Sequence, residues 1–290
     1  MLASMLVPLH GTRPLTINWW TDWTLDPTIL IGTAFFGGLY LALVGPLRRR
    51  YRLGPPVKRR QIAAFMIGTT VMLLALISPL DPLGDYFLFS AHMVQHLLIT
   101  IVTPPLWLLG TPGWLVRGLL RQPGVGRVLR FLTRPIIAFL LFNTVFAVWH
   151  LPVLYNLTLA NEGVHILEHL MFMATALLNW WPILNPLPEE MPHLSYGSQI
   201  LYMFANCQVA VALGALLFFA PPAYAPYITA PRLWGLTPAD DQTLGALIMW
   251  IPGNLVYMIV MSVAFYFWFE KHEGQEEPVE AAAGSVEQSL

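Results

Sequence analysis

Charged residues are scarce in this 290-residue chain. Asp, Glu, Lys and Arg together make up 11% of it, less than half the roughly 25% that is usual for soluble domains. Hydrophobic residues make up 56%, and the mean hydropathy is +0.60. Charge this scarce means that most of the surface does not face water, which argues against a soluble fold and indicates a membrane protein.

Cysteine is nearly absent. The single Cys207 excludes an internal disulfide, a C-x-x-C redox pair and a Cys-rich zinc cluster, and its apolar surroundings suit a small buried hydrophobe. A cleavable signal peptide is not recognisable either, because residues 1–9 lack a basic start. We therefore expect the chain to insert through its own spans.

Long apolar runs dominate the sequence. A membrane-spanning helix needs roughly 20 mostly apolar residues, and seven segments qualify, each bounded by Pro, Gly or charge. We predict an all-α, polytopic bundle of seven transmembrane helices at about 28–47, 61–78, 86–110, 135–154, 164–184, 196–220 and 243–269.

Basic residues predict the orientation. Lys and Arg favour cytoplasmic loops, and all 15 except Arg13 and Arg232 follow the first, third or seventh span. This places the N-terminus outside and the C-terminus in the cytoplasm. Residues 1–272 form one transmembrane domain in this interpretation, and residues 273–290, rich in Glu, Ala and Gly, form a disordered cytoplasmic tail.

Five of the eight histidines fall in the outer half of the predicted bundle. His92 and His96 are four residues apart on the third span, so they share a helical face about 6 Å apart along the axis. His165 and His169 repeat this spacing on the fifth span, and His150 ends the fourth. Since the topology comes from Lys and Arg alone, the common depth of the histidines is an independent observation.

Carboxylates accompany these histidines. Asp81 and Asp85 precede the third span, and Glu168 lies beside the second histidine pair. Asp241 precedes the seventh span, and Met249 lies one or two turns into it. Ionisable residues in spans are costly and normally face the bundle interior. Imidazoles with carboxylates, and a thioether, are suitable ligands for copper or zinc.

A single buried histidine is often only an interhelical hydrogen-bond donor, but two such pairs and a fifth histidine favour a metal or haem site. Glu168 and Asp241 fit either ligation or the orientation of an imidazole, and Met249 also fits ordinary packing. The candidate metal-binding residues are His92, His96, His165 and His169, followed by His150, Asp241, Glu168 and Met249.

Several of these motifs together resemble a known family. DPL at 81–83 and AHMVQHLL at 91–98 are similar to the signature of the CtaG family, the multi-span assembly factors of caa3-type cytochrome c oxidases. WHLP at 149–152, HILEH at 165–169, DQ at 241–242 and IMW at 248–250 also match. The similarity extends from the first span to the seventh. The chain does not resemble the single-span copper chaperone that shares the CtaG name.

The resemblance implies a multi-pass protein of the bacterial plasma membrane that is required to form an active haem–copper oxidase. It implies cytochrome c oxidase subunits as partners and a role in copper supply or insertion. A periplasmic copper chaperone is a further conceivable partner beside the lipid bilayer, and neither a nucleic-acid partner nor an enzymatic activity is expected.

Two alternatives stay open on the residues alone. An intramembrane zinc hydrolase would hold zinc with three histidines and an aspartate and use a carboxylate as base. A b-type haem protein would need histidines on facing helices with a flat slot between them.

Overall fold

The computed structural model describes residues 16–18 and 20–287. The expectations for residues 1–9 and for Arg13 lie outside this part. Within it the chain forms helices, turns and loops and no strand, which confirms the all-α prediction. The division into residues 1–272 and 273–290 stays a prediction, and the last helix continues to Glu287.

The helices follow one another with short connections. Two π-helical segments interrupt them, Leu43–Leu47 after α1 and Leu98–Val102 after α5. In chain order the α-helices are α1 (Pro27–Ala42), α2 (Arg48–Tyr51), α3 (Arg59–Ile77), α4 (Leu80–Tyr86), α5 (Phe89–Leu97), α6 (Thr103–Gly110), α7 (Gly113–Leu120), α8 (Pro123–Leu132), α9 (Pro135–Trp149), α10 (Pro152–Ala160), α11 (Glu162–Leu184), α12 (Tyr196–Phe219), α13 (Ala225–Ile228) and α14 (Pro238–Glu287).

Five helical segments of the described chain are long and apolar enough to cross a membrane. They correspond to the first, second, third, sixth and seventh predicted spans. A bent pair, α8 with α9 at 75°, would be a sixth if it counts as one span. The count of seven and the orientation stay predictions. The five segments are Pro27–Tyr51, Arg59–Ile77, Phe89–Gly110, Tyr196–Phe219 and Pro238–Lys271.

The fourth and fifth predicted spans fall short for different reasons. Helix α9 has 15 residues and is about 22 Å long, less than the roughly 30 Å of a bilayer core. Helix α11 has 23 residues, but its polar residues, including His165, Glu168 and His169, lower its hydropathy. Both predicted spans that miss the criteria carry candidate ligands, His150 at the end of the fourth and His165, Glu168 and His169 on the fifth.

The segment Phe89–Gly110, formed by α5, the π-segment and α6, is the centre of the bundle. In the most apolar stretch of this segment 61% of the residues are buried, whereas the corresponding share is 22–33% in the other four segments. Helix α5 packs on α14, and α6 packs on α3 and α11. The histidine pair of α5 therefore lies in the most enclosed part of the fold.

An asparagine network joins three of the surrounding helices. The Nδ2 atoms of Asn143 on α9 and Asn179 on α11 each donate to Oδ1 of Asn206 on α12 at 3.0 Å. The hydroxyl of Tyr202 donates to Oδ1 of Asn179 at 2.7 Å. Hydrogen bonds of this kind stabilise helix contacts inside membranes, because each buried polar group needs a partner.

Candidate metal centre

Helices α5 and α11 both begin at the end of the bundle opposite the arginine-rich loops, so their first turns meet. Asn161 fixes the start of α11, because its side chain accepts a hydrogen bond from the backbone N–H of Val164 at 3.1 Å. Four residues each offer one ligand atom, and these atoms lie within 4.8 Å of one another. This buried ligand group consists of His92, His165, Glu168 and His169.

His96 adjoins the buried ligand group. Its Nε2 lies 2.7 Å from Nε2 of His92, and its ring centroid lies 5.4 Å from that of His169. With no ion between them, one nitrogen must donate and the other accept. If neither Nε2 atom carried a proton, the lone pairs of both could instead point at a shared cation.

His150 lies at the edge of the cluster. Its ring centroid is 6.2 Å from that of His96, and its Nδ1 lies 2.7 Å from the carbonyl oxygen of Phe146. Because a carbonyl can only accept, Nδ1 carries the proton and Nε2 is left with a lone pair. That Nε2 is buried and has no hydrogen-bond partner, so His150 could serve as an additional ligand.

Glu168 is fully buried, and no neighbouring group in the described part of the chain offsets the cost of burying its carboxylate. Both its carboxylate oxygens have no hydrogen-bond partner, and it forms no ion pair with any described residue. The hydroxyl of the adjacent Thr158 donates instead to the carbonyl oxygen of Tyr155 at 2.7 Å. Nε2 of His169 is likewise buried without a partner. Such groups are costly to bury, and one bound cation would satisfy them together.

The donor set fits a transition metal. Three imidazoles and a carboxylate are ligands that zinc and copper both accept, provided that the imidazoles are neutral. The rings of the two helices also touch, with centroids of His92 and His165 5.3 Å apart. The residues present therefore fit a metal ion.

Asp241 and Met249 are not part of the buried ligand group. The Asp241 carboxylate accepts from the backbone N–H groups of Phe89 (2.8 Å) and Ser90 (3.1 Å) and from the Ser90 hydroxyl (2.6 Å). It thus satisfies free N–H groups at the start of α5, which supports the positioning role over ligation. Met249 packs in an apolar cluster with Phe89 and Met93.

Glycines let two neighbours approach α5 closely. A Cβ on Gly84 would lie 3.0 Å from Cα of His92, and one on Gly245 would lie 2.3 Å from Cδ1 of Phe89. The distance at Gly84 is tighter than nine in ten real Cβ contacts, and the distance at Gly245 is shorter than real Cβ contacts allow. Helices α4 and α14 therefore press directly against the turn that presents His92.

Sequence reasoning missed Tyr227, which lies on the short helix α13. Its hydroxyl donates to the carbonyl oxygen of Gly84 at 2.6 Å and lies 3.4 Å from Nδ1 of His92. It also lies 3.2 Å from the hydroxyl of Tyr155. No spacing in the sequence indicates this, because the contact depends on how the connection between α12 and α14 folds back.

Two aspartates on α4 border the site outside the spans. Asp81 accepts from the Thr24 hydroxyl at 2.8 Å and from Nε2 of Gln95 at 2.9 Å. Burial, with repulsion from Asp85, raises the pKa of Asp81 to about 7, and burial raises the pKa of Asp85 to about 7. Both shifts indicate poorly hydrated carboxylates, which a nearby cation would stabilise.

Comparison with known proteins agrees with the motifs. The chain is 24% identical over 275 residues to an uncharacterized protein of Mycobacterium leprae, covering 88% of this chain and 40% of that protein. It is 26% identical over 267 residues to uncharacterized proteins of Mycobacterium bovis and Mycobacterium tuberculosis, covering 86% of this chain and 39% of each. It thus spans about two fifths of these relatives.

No solved structure matches the chain. The family profile described as "Cytochrome c oxidase caa3 assembly factor" matches residues 38–271. This range includes both helices of the buried ligand group, and the match confirms the resemblance inferred from the motifs. The chain therefore belongs to the Caa3_CtaG family of cytochrome c oxidase caa3 assembly factors.

Proposed function

We propose that this protein assists the assembly of a haem–copper cytochrome c oxidase by binding copper and passing it on. The buried ligand group of His92, His165, Glu168 and His169 would hold the ion, with His96 and His150 as adjoining ligands. The observation that carries the proposal is the fully buried, unpaired Glu168 carboxylate among three imidazoles. Family membership is the basis for proposing the oxidase as the target, and the donor chemistry is the basis for proposing the metal.

The location of the group suits a delivery role in the plasma membrane. It lies opposite the arginine-rich loops, and the charge pattern predicts that this end is the periplasmic one. Copper could arrive there from a periplasmic chaperone and leave toward an oxidase subunit in the bilayer. The role is non-enzymatic, since the protein binds and releases an ion.

A zinc hydrolase is the second candidate, because three histidines and a carboxylate also suit catalytic zinc. A b-type haem is disfavoured by direct contact between the rings of α5 and α11. Ring centroids lie 5.3 Å apart for His92 and His165 and 5.4 Å apart for His96 and His169, and a porphyrin between them would need the helices to separate.

Metal analysis of protein extracted gently from its native membrane tests the proposal. We expect stoichiometric copper in the wild type and its loss in the His92→Ala, His169→Ala double variant, with membrane insertion intact. His193→Ala is the matched control, because His193 lies in a loop and bonds the Asn185 carbonyl oxygen. Zinc in place of copper would favour the hydrolase, a Soret band would indicate haem, and full copper in the double variant would overturn the ligand assignment.

The oxidase itself gives a second readout. In cells that carry the double variant, we expect the purified oxidase to lack copper, whereas cells with His193→Ala should yield oxidase with normal copper. An oxidase that is fully loaded in the double-variant strain would contradict the delivery role even if the protein binds copper.

A further inference from the structure

Asp85 lies between the buried ligand group and the surface of the bundle. Its side chain is 21% exposed, whereas that of His92 is fully buried. It belongs to α4, which lies between two candidate spans, so it is the part of the site that an approaching ion would meet early.

The Asp85 carboxylate faces two imidazoles at once. Oδ1 lies 3.9 Å from Nδ1 of His92, and Oδ2 lies 3.8 Å from Nδ1 of His165. Both distances are too long for hydrogen bonds, and Oδ1 is buried with no hydrogen-bond partner. The carboxylate therefore faces both rings without a hydrogen bond to either of them.

The spacing suits a metal ion with little adjustment. Ligand bonds of about 2.0–2.2 Å to zinc-like ions place neighbouring ligand atoms about 3.4 Å apart in a tetrahedral site. A small inward movement of the Asp85 side chain would reach this separation. The opposite side of the His92 ring, Nε2, faces His96 at 2.7 Å, so its two nitrogens point to different places.

We propose that Asp85, with the Nδ1 atoms of His92 and His165, forms a second, shallower cation position through which copper reaches the buried ligand group. This inference rests on the proposed function. The carboxylate attracts the divalent cation and holds it while water is removed. The ion then exchanges the Asp85 oxygen for the deeper ligands, and no net redox change or proton source is required.

Loading kinetics of the full-length, metal-free protein in detergent test this inference. Cu(II) is mixed with wild type, Asp85→Asn and Asp240→Asn, and copper uptake is followed with time and then at saturation. Asp240 is the matched control, because it is an exposed carboxylate that caps the start of α14 through Thr237. We expect Asp85→Asn to load at least about tenfold more slowly, as expected when a steering charge is removed, and to reach the wild-type copper content.

The possible outcomes distinguish this inference from the proposed function on which it rests. Wild-type loading rates in Asp85→Asn would overturn the shallow position while leaving the buried site intact. Loss of final copper content in Asp85→Asn would also overturn it, because Asp85 would then be a ligand of the buried site. Copper uptake that fails in the wild type would instead refute the proposed function. Asp85→Glu, which keeps the charge, should restore fast loading and so exclude a folding defect as the cause.

Discussion

Replacing Glu168 by Gln tests the role of the buried carboxylate most sharply. The substitution keeps the size of a side chain that is 0% exposed and removes its charge. The carboxamide can offer only a weaker, neutral oxygen to an ion among His92, His165 and His169. We therefore expect the fold to persist and copper affinity to fall.

The size of the effect can be worked out for thermal unfolding. Free copper at 100 times the wild-type Kd stabilises the folded protein by about 2.7 kcal/mol, which corresponds to a rise in Tm of roughly 5–10 °C for a chain of this size. Outer-shell substitutions at metal sites typically cost 10–100-fold in affinity, so we take a loss of roughly 100-fold for this direct ligand, which brings Kd up to the copper concentration. The stabilisation then shrinks to about 0.4 kcal/mol, or roughly 1 °C.

The assay is the unfolding temperature in detergent with and without Cu(II). Glu162→Gln is the control, because Glu162 is an exposed acid in the first turn of the same helix and should leave the copper-induced shift unchanged. An equal shift in Glu168→Gln and wild type would refute the assignment of this carboxylate as a ligand.

Three further substitutions test the support of the site. Gly84→Ala should destabilise the metal-free protein by about 1–3 kcal/mol, because its Cβ would meet the backbone of His92; an unchanged Tm would refute that contact. Asp241→Ala should cost about 1–2 kcal/mol by exposing the N–H groups at the start of α5, and a Tm equal to that of wild type would show that the cap is unimportant. Asn206→Leu should cost about 1 kcal/mol, because two interhelical amide bonds are lost; denaturation in mixed micelles would measure it, and an unaltered midpoint would contradict the network.

Much of the helical architecture is predictable from local features. The five long segments are visible as apolar runs, and the HxxxH spacing places His92 beside His96 because a helix returns to the same face after four residues. The predicted topology alone is enough to place the first turns of α5 and α11 at the same end of the bundle. These predictions depend on periodicity and hydropathy, which single segments encode.

Other features depend on how distant segments meet. Asp241 caps a helix about 150 positions earlier in the chain, and Tyr227 reaches His92 only because α13 folds back over the bundle. Likewise, α9 ends at Trp149 because Pro152 follows, which shortens the fourth predicted span. Spacing within one segment carries no information about such contacts.

In the proposed copper site, imidazoles from α5 and α11 share one ion with Glu168. X-ray absorption at the copper edge of the loaded, purified protein tests this directly. We expect a shell of nitrogen and oxygen at about 2.0 Å, as for other imidazole-bound metals, with the outer-ring scattering of at least two imidazoles. A sulfur ligand, or a shell without imidazole scattering, would contradict this ligand set.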